Sequence, residues 1–227
     1  MRIGDRDGCG DDLIEAILMH VSLEGWSYKA LKLGASDINL SSDVLAEFFP
    51  NGPRDAIRYF SKWADQKMVE EIRTSDISDL RIREKISFAV KTRLAILQPH
   101  REAVRRATSI LMAPNNAVLG MKLVYASVDC MWYEIGDRSS DFSFYTKRGL
   151  LAGVLGSTTM FWLTDNSESS EETMNFLDRR IGDVMRLHRT RENFVNARFR
   201  ARKAFETFGD VLKSRYARPS KGNSRVT

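Results

Sequence analysis

The sequence contains little cysteine, histidine or proline: its 227 residues include two cysteines, three histidines and five prolines. Two cysteines are too few for a disulfide framework and have no metal-ligand spacing, which indicates a reducing compartment. No histidine follows a glutamate by three positions, so the paired Glu-x-x-His helices of a diiron enzyme are absent. Gly-x-Ser-x-Gly, P-loop and Cys-x-x-Cys motifs are also missing. We therefore expect no metal, no cofactor and no enzymatic activity.

Long apolar segments are missing as well. The longest stretch without a charge, Gly149–Thr164, has 16 residues, whereas a membrane-spanning helix needs about 20. The first twenty residues carry four aspartates, Asp5, Asp7, Asp11 and Asp12, which is typical of neither a secretory signal nor a mitochondrial transit peptide. We expect a bacterial chain, or one that has already been processed.

The positive charge is concentrated at one end of the chain. The net charge is +5, with 43% hydrophobic and 29% charged residues overall, a composition typical of a globular protein. From Arg186 onward there are 12 Lys and Arg against three acidic residues, a local net of +9, which leaves −4 for the rest. This asymmetry predicts an anionic partner for the C-terminal arm.

Helical periodicity dominates the sequence, and strand alternation is nearly absent. We predict an all-α protein of about nine to ten helices, in which residues 117–133 and 144–164 are apolar almost all round and form central, buried helices. The predicted organisation has four parts: a disordered N-terminus (1–10), one helical body (11–188), a basic amphipathic helix (189–216) and a disordered tail (217–227).

Residues 11–73 contain three short predicted helices and one long one, which resembles the helix-turn-helix head of TetR regulators. Ser27 and either Ser41 or Ser42 are expected to cap the second and third helices. Between residues 33 and 53 there is no Lys or Arg, but there are three acids, Asp37, Asp43 and Glu47. Acids facing the phosphates of DNA would repel them. The alternatives are a simple packing unit, a protein-contact surface and retained DNA binding.

Residues 129–148 carry the most specific motif, Asp-Cys-Met-Trp-Tyr-Glu-Ile-Gly-Asp-Arg-Ser-Ser-Asp-Phe-Ser-Phe-Tyr-Thr-Lys-Arg. This stretch resembles the ubiquinone (coenzyme Q) biosynthesis accessory family, the TetR-like lipid-binding partners of demethoxyubiquinone hydroxylase, whose pattern is Asp-x-Met-Trp, Gly-Asp-x-Ser, Asp-Phe and Trp-Tyr-Thr-x-Arg. Phe144 stands where Trp is usual, which keeps the aromatic face and loses the indole N–H. The resemblance covers most of residues 11–188, including Phe-Leu-Asp-Arg-Arg at 176–180.

The resemblance implies that this segment docks the hydroxylase. Aromatic side chains beside Asp and Arg are also the composition of a protein-contact hot spot. From the residues alone, Asp141 is explained equally well as a helix cap and Trp132 as a core residue. The predicted partner-binding residues are Asp129, Met131, Trp132, Asp141, Phe144, Tyr145 and Arg148.

The resemblance also implies a cavity for an isoprenoid between the central helices. Glycines would make space there, while methionines and phenylalanines would form adaptable walls. On pattern alone, small residues in a helix more often allow close helix contact than a pocket. The predicted lipid-binding residues are Met121, Gly153, Gly156, Met160, Phe161, Met174 and Phe176.

The basic arm would form an amphipathic helix with phenylalanines under a cationic rim, which favours binding at a membrane surface. The predicted membrane-binding residues are Phe194, Arg198, Arg202, Phe205, Phe208 and Leu212. A docked or dimer-forming helix and a nucleic-acid arm are the alternatives. We expect a peripheral location on the bacterial inner membrane, facing the cytoplasm, or on the matrix side of the membrane in a mitochondrion.

Together these features predict an accessory protein of ubiquinone biosynthesis. It would bind quinone intermediates or phospholipid, form a homodimer and present the quinone to a membrane-associated diiron hydroxylase, without binding nucleic acid. The main alternative is a TetR-like, ligand-responsive transcriptional regulator. An enzyme acting on a quinone precursor and a binding protein of the same fold with another ligand are further alternatives.

Overall fold

The computed structural model describes residues 3–136, 142–184 and 186, with the backbone alone for residues 3–7 and 142–144. All regular structure in these ranges is helical, which confirms the all-α class. Short 3-10 turns occur at Gln98–His100 and Glu168–Ser170, and a ninth helix, α9, is described over residues 171–184. The other helices are α1 (Ile3–Glu24), α2 (Tyr28–Asp37), α3 (Ser42–Phe48), α4 (Pro53–Thr74), α5 (Ile82–Leu97), α6 (Arg101–Leu111), α7 (Ala117–Glu134) and α8 (Phe142–Thr164).

The ends of the chain differ from the sequence-based boundaries or lie outside the described residues. Helix α1 begins at Ile3, although residues 1–10 were expected to be disordered, because the helix of the buried Leu13–Val21 stripe continues toward the N-terminus. The chain divides into two compact units, Met1–Ile181 and Gly182–Thr227. The predicted helix over 189–216 and the tail at 217–227 both lie outside the described residues.

Two helices of the head, α2 and α3, begin where the sequence places their caps. The Ser27 hydroxyl accepts a hydrogen bond from the Ala30 N–H at 3.2 Å, and the Ser41 hydroxyl accepts one from the Val44 N–H at 3.4 Å. Both serines have extended backbone angles, as N-cap residues do. The predicted caps of α2 and α3 are therefore confirmed, with Ser41 rather than Ser42 capping α3.

Gly34 allows α1 and α2 to pack closely. A β-carbon built on Gly34 would lie 2.6 Å from the Ile17 backbone nitrogen and 2.7 Å from the Ile17 α-carbon. Backbone atoms cannot move aside as the end of a flexible side chain can, so any side chain at this position would push the two helices apart.

We expect Gly34→Ala to lower the free energy of unfolding by about 1–3 kcal/mol or more, because the added methyl group overpacks the α1–α2 contact. Urea denaturation measures the change. Gly8→Ala is the matched control: Gly8 is an exposed residue of α1, and a β-carbon there meets no atom within 4 Å, so it should be neutral or slightly stabilising. Equal stability of the two variants would contradict the close approach of the helices.

Helices α7 and α8 pack against each other, and α4 packs against both α5 and α7. These contacts do not bury α7 and α8 on all sides, as their apolar composition had suggested. Helix α8 keeps an exposed stripe through Tyr145, Gly149, Gly153, Ser157 and Met160. The prediction of fully buried central helices was wrong because an apolar sequence without strong periodicity does not reveal which face lacks a neighbour.

Two arginine side chains of α6 hold the turn after α8. Arg105 donates a hydrogen bond to the Leu163 carbonyl at 2.7 Å, and Arg101 donates to the carbonyls of Trp162 and Asp165. These bonds satisfy carbonyls that a helix end leaves without partners. Cations at a helix C-terminus also interact favourably with the helix dipole.

The buried Asp165 side chain organises the start of α9. Its carboxylate accepts hydrogen bonds from the Ser167 N–H at 2.8 Å, the Thr173 N–H at 2.9 Å and the Thr173 hydroxyl at 2.5 Å. Hydrogen bonds from Ser167 and Thr173 stabilise the charged form and hold the pKa of Asp165 far below its usual range.

The lowered pKa of Asp165 makes a pH-dependent contribution to stability. The contribution is present above the pKa of an unfolded aspartate, about 4, and is lost as the pH falls below it toward the folded-state pKa. We expect Asp165→Asn to lower the melting temperature clearly at pH 7 and progressively less below about pH 4. Thermal denaturation of both proteins across this range tests it. The exposed-residue variant Asp12→Asn should show no comparable loss at pH 7; a pH-independent effect of Asp165→Asn would contradict the account.

Candidate lipid-binding cavity

A cavity of about 650 Å³ lies between helices α4, α5, α6, α7 and α8. Ligand pockets in proteins typically have volumes of about 300–1,000 Å³. The space is therefore large enough for a small amphiphile or for part of a long one.

The walls of the cavity are mostly apolar, and one end reaches the surface. Helix α7 lines it from Ala117 to Ser127, a distance of about 15 Å at the rise of an α-helix. Near the start of α7, the lining side chains of Met112, Met121 and Met160 are exposed. Flexible, polarizable methionines adapt to ligands of different shape, so this end provides an apolar mouth.

The other end of the cavity contains a buried polar cluster. The Arg93 Nε donates a hydrogen bond to Asp65 Oδ1 at 2.8 Å, and Arg93 Nη2 donates to the Ser61 hydroxyl at 3.3 Å. The Ser127 hydroxyl donates to Asp65 Oδ2 at 2.9 Å. Arg93, Ser61 and Ser127 line the cavity, and Asp65, Arg93 and Ser127 are each less than one-tenth exposed. A neutral ion pair thus forms the inner end.

The structure brings together three of the seven predicted lipid-binding residues: Met121, Gly156 and Met160 line the cavity. Gly153 lies on the exposed face of α8. Phe161 stacks on Phe176, with ring centroids 4.6 Å apart. These two and Met174 are not among the residues that line the cavity. The small and aromatic residues of α8 were grouped together in the sequence, but its helical turn points them in different directions.

The polar cluster was not predicted, although the sequence contains a signal for it. Arg93 occupies a core position of α5, between the buried residues Val90 and Leu97. Asp65 likewise lies beside Ala64 on the buried face of α4. Charged residues are seldom buried unless they are paired, so an aspartate and an arginine among the apolar residues of α4 and α5 indicate a partnered pair inside the body.

The segment predicted to dock a partner is only partly at the surface. Met131 and Trp132 are buried, which agrees with the alternative reading of Trp132 as a core residue. Arg148 is buried as well and forms an ion pair with the half-exposed Asp129, with 2.5 Å between Nε and Oδ1. Tyr145 is exposed. Asp141 and the side chain of Phe144 lie outside the described residues.

The six predicted membrane-binding residues, from Phe194 to Leu212, also lie outside the described residues. Within the described ranges, no helix has both the length and the apolar character needed to cross a bilayer.

Comparison with known proteins identifies relatives of this chain. Residues 117–188 match the COQ9 family model. The chain is 33% identical to "Ubiquinone biosynthesis protein COQ9, mitochondrial" of Rattus norvegicus over 184 residues, and 33% identical to the Homo sapiens protein of the same name over 185 residues. Each match covers 78% of this chain but only 59% and 58% of the respective relatives. The matched region thus spans less than two thirds of these relatives.

A solved structure shows the same fold. The TetR transcriptional regulator from Nitrosomonas europaea matches with a TM-score of 0.64, over 78% of this chain and 98% of its own, at 18% sequence identity. A match at this identity supports a common architecture and not a common function. The predicted TetR-like fold is confirmed, and so is the resemblance: the chain is similar to the COQ9 proteins over 78% of its own length.

Proposed function

We propose that this chain is a lipid-binding accessory protein of ubiquinone biosynthesis. It takes an isoprenoid quinone intermediate into the cavity between α4 and α8 and presents it to a membrane-associated diiron hydroxylase, which carries out the chemistry. The names of its relatives support a role in ubiquinone biosynthesis. The observation that carries the proposal is the mostly apolar cavity of about 650 Å³, which opens at exposed methionines.

The energetics of lipid transfer explain why such a cavity is needed. Each methylene group that leaves an apolar environment for water costs about 0.8 kcal/mol. An isoprenoid therefore leaves a bilayer only if the protein offers comparable apolar cover. The walls formed by Leu97, Val104, Leu111, Leu123 and Leu155 offer that cover.

Native mass spectrometry after mild lipid extraction tests the proposal. The intact protein should carry a quinone, an isoprenoid or a phospholipid as an adduct, and tandem dissociation identifies it. A protein that shows no adduct, and binds none when short-chain ubiquinone is added, would overturn the proposed function.

Tyr145, near the start of α8, is one of the predicted docking residues. It is 69% exposed. Nearby, Asp129 is half-exposed, and the Lys147 Nζ lies 5.7 Å from the ring centroid of the buried Trp132. An exposed tyrosine beside charged groups supports a protein-contact site, since tyrosine is enriched in binding hot spots. We propose that the hydroxylase docks on this surface.

Tyr145→Ala is expected to leave the fold intact and to weaken hydroxylase capture in a pull-down by about tenfold or more, as the loss of a hot-spot side chain does. Tyr28→Ala is the matched control, because Tyr28 is 64% exposed and belongs to the head. Capture that is unchanged by Tyr145→Ala, or lowered equally by both substitutions, would count against the docking surface.

The arm from about residue 191 is proposed to attach the protein reversibly to an anionic membrane. Each basic residue near such a surface contributes about 1 kcal/mol. Co-sedimentation of the full chain with vesicles of phosphatidylglycerol and phosphatidylcholine measures the attachment. Replacing Phe205 and Phe208 by Asp should greatly reduce the fraction of protein that sediments with the vesicles. Equal sedimentation of the wild type and this variant would contradict membrane attachment by the arm.

The middle of the exposed stripe of α8 supports a homodimer. Gly149, Gly153 and Ser157 have small side chains there, which would let the backbones of two helices approach closely. The native mass spectrum of the wild-type protein reads the oligomeric state directly, and a monomer at micromolar concentration would contradict this part of the proposal.

The negative charge of the head favours a packing or protein-contact role over DNA binding. Asp43 and Glu47 of α3 and Asp37 of α2 are exposed, so the helix that would enter the major groove presents negative charge to a polyanion. DNA binding that persists at about 200 mM salt in a gel-shift assay would favour a transcriptional regulator instead.

A further inference from the structure

At the inner end of the cavity, one hydrogen-bond donor of Arg93 has no partner among the described residues. Arg93 uses Nε for Asp65 and Nη2 for Ser61. A guanidinium has five N–H groups on three nitrogens, and within the described residues no hydrogen bond engages Nη1 of Arg93. The residue is only 8% exposed and lines the cavity. Nη1 is therefore available to a ligand atom in the cavity that accepts a hydrogen bond.

The charges at this end restrict what the ligand can be. Among the described residues that line the cavity, Arg93 alone carries a charge, and the Asp65 carboxylate neutralises it at 2.8 Å. A phosphate or carboxylate placed beside this pair would leave an unbalanced buried charge, which is strongly unfavourable. A pure hydrocarbon would cover polar groups without bonding to them. An uncharged, oxygenated group avoids both costs.

The two ends of the cavity also differ in polarity and exposure, and this difference predicts the orientation of a bound ligand. Ser127 belongs to the polar inner end and is 1% exposed, whereas Met121, about 9 Å away along α7, is 66% exposed at the apolar mouth. A ligand with a polar head and an apolar tail fits this gradient with its head inward.

We infer that Arg93, Ser61 and Ser127 form a head-group subsite. It accepts the uncharged, oxygenated head of an isoprenoid (a ring carbonyl or a hydroxyl), while the tail leaves through the mouth at Met112, Met121 and Met160. The inference rests on the proposed lipid-binding function and adds to it the class of head group and the direction of binding. Transfer to a partner then requires the ligand to leave tail-first or the inner end to open.

Binding to the full chain tests the subsite with three probes: ubiquinone with two isoprene units, the hydrocarbon squalene and dioleoylphosphatidylglycerol. We expect the quinone to bind at least about tenfold more tightly than either of the others, as the loss of a hydrogen bond to a charged group predicts. The double substitution Asp65→Leu with Arg93→Met removes both charges together, which buried pairs tolerate better than the loss of one. It should abolish the preference for the quinone while squalene binding stays the same or improves.

A matched control uses an ion pair away from the cavity. Arg73 and Glu134 join α4 to α7 with 2.6 Å between Nη2 and Oε1, and neither residue lines the cavity. Arg73→Met with Glu134→Leu should leave the preference unchanged. An equal loss in both double variants, or a wild-type preference for the phospholipid or squalene, would overturn the subsite. A wild type that binds none of the probes would overturn the proposed function itself.

Photo-crosslinking tests the direction of binding. A quinone with a diazirine at the end of its short tail should label Met112, Met121 or Met160, and one with a diazirine on the ring should label the α5 or α7 peptide that contains Arg93 or Ser127. The reverse pattern would overturn the head-inward arrangement even if the quinone is bound.

Discussion

Gly156→Trp is expected to reduce the lipid adduct of the purified protein by about tenfold or more in native mass spectra. Gly156 lines the cavity, and a β-carbon built on it meets no atom within 4 Å. The new side chain therefore starts in open space, and an indole would occupy much of the volume that the ligand needs. The fold should tolerate the change because the space is empty and glycine is a poor helix former.

Gly153→Trp is the matched control for this experiment. It lies one helical turn away on α8, and a β-carbon there also meets nothing within 4 Å, but Gly153 belongs to the exposed face. The control should retain its adduct, whatever it does to the oligomeric state. If both variants lose the adduct, or if neither does, the result would contradict lipid binding in this cavity.

Arg93→Met alone is expected to lower the free energy of unfolding by about 3–5 kcal/mol, because it leaves the buried Asp65 carboxylate without its counter-ion. Adding Asp65→Leu should recover most of that loss, since two apolar side chains then replace the pair. Urea denaturation of the two single variants and the double variant completes a double-mutant cycle, whose coupling free energy should be large.

The exposed pair of Lys91 and Asp178 provides the comparison for this cycle. Their side chains are 40% and 48% exposed, with 3.7 Å between Nζ and Oδ2, so their interaction is screened by solvent and should show only a small coupling. Equal coupling in the two cycles would mean that the cavity pair is not desolvated, and it would remove the physical basis for a head-group subsite.

The head shows how much of the fold the sequence predicts. Local rules were sufficient there: Ser27 and Ser41 cap the helices that follow them, and Gly25 has the positive φ of 66° that ends α1. Such signals act over a few residues, so they can be read without knowing what packs against the helix.

The central helices show where sequence reasoning fails. Helices α7 and α8 are apolar on most sides, so the sequence does not indicate which face meets a neighbour, which lines a cavity and which meets solvent. Gly153 and Gly156 looked equivalent in the sequence, yet the first lies on the exposed face and the second lines the cavity. Residues three apart on a helix point about 60° apart around its axis, which separates the exposed face from the edge of the cavity here.

The polar end of the cavity depends on contacts between distant parts of the chain. Asp65, Arg93 and Ser127 come from α4, α5 and α7 and meet only in the folded body. Each residue alone has an ordinary explanation, and their combination is recognised only when the distances are known. The family resemblance implied a lipid cavity; it did not imply a polar inner end.

A crystal structure of the protein purified under conditions that retain lipid tests the central claim most directly. The account predicts continuous density for an elongated ligand between Arg93 and Met121, with its polar end beside the Arg93 guanidinium. A cavity filled only with ordered water, in a preparation whose mass spectrum shows a bound isoprenoid, would contradict it, because the lipid would then bind elsewhere on the protein.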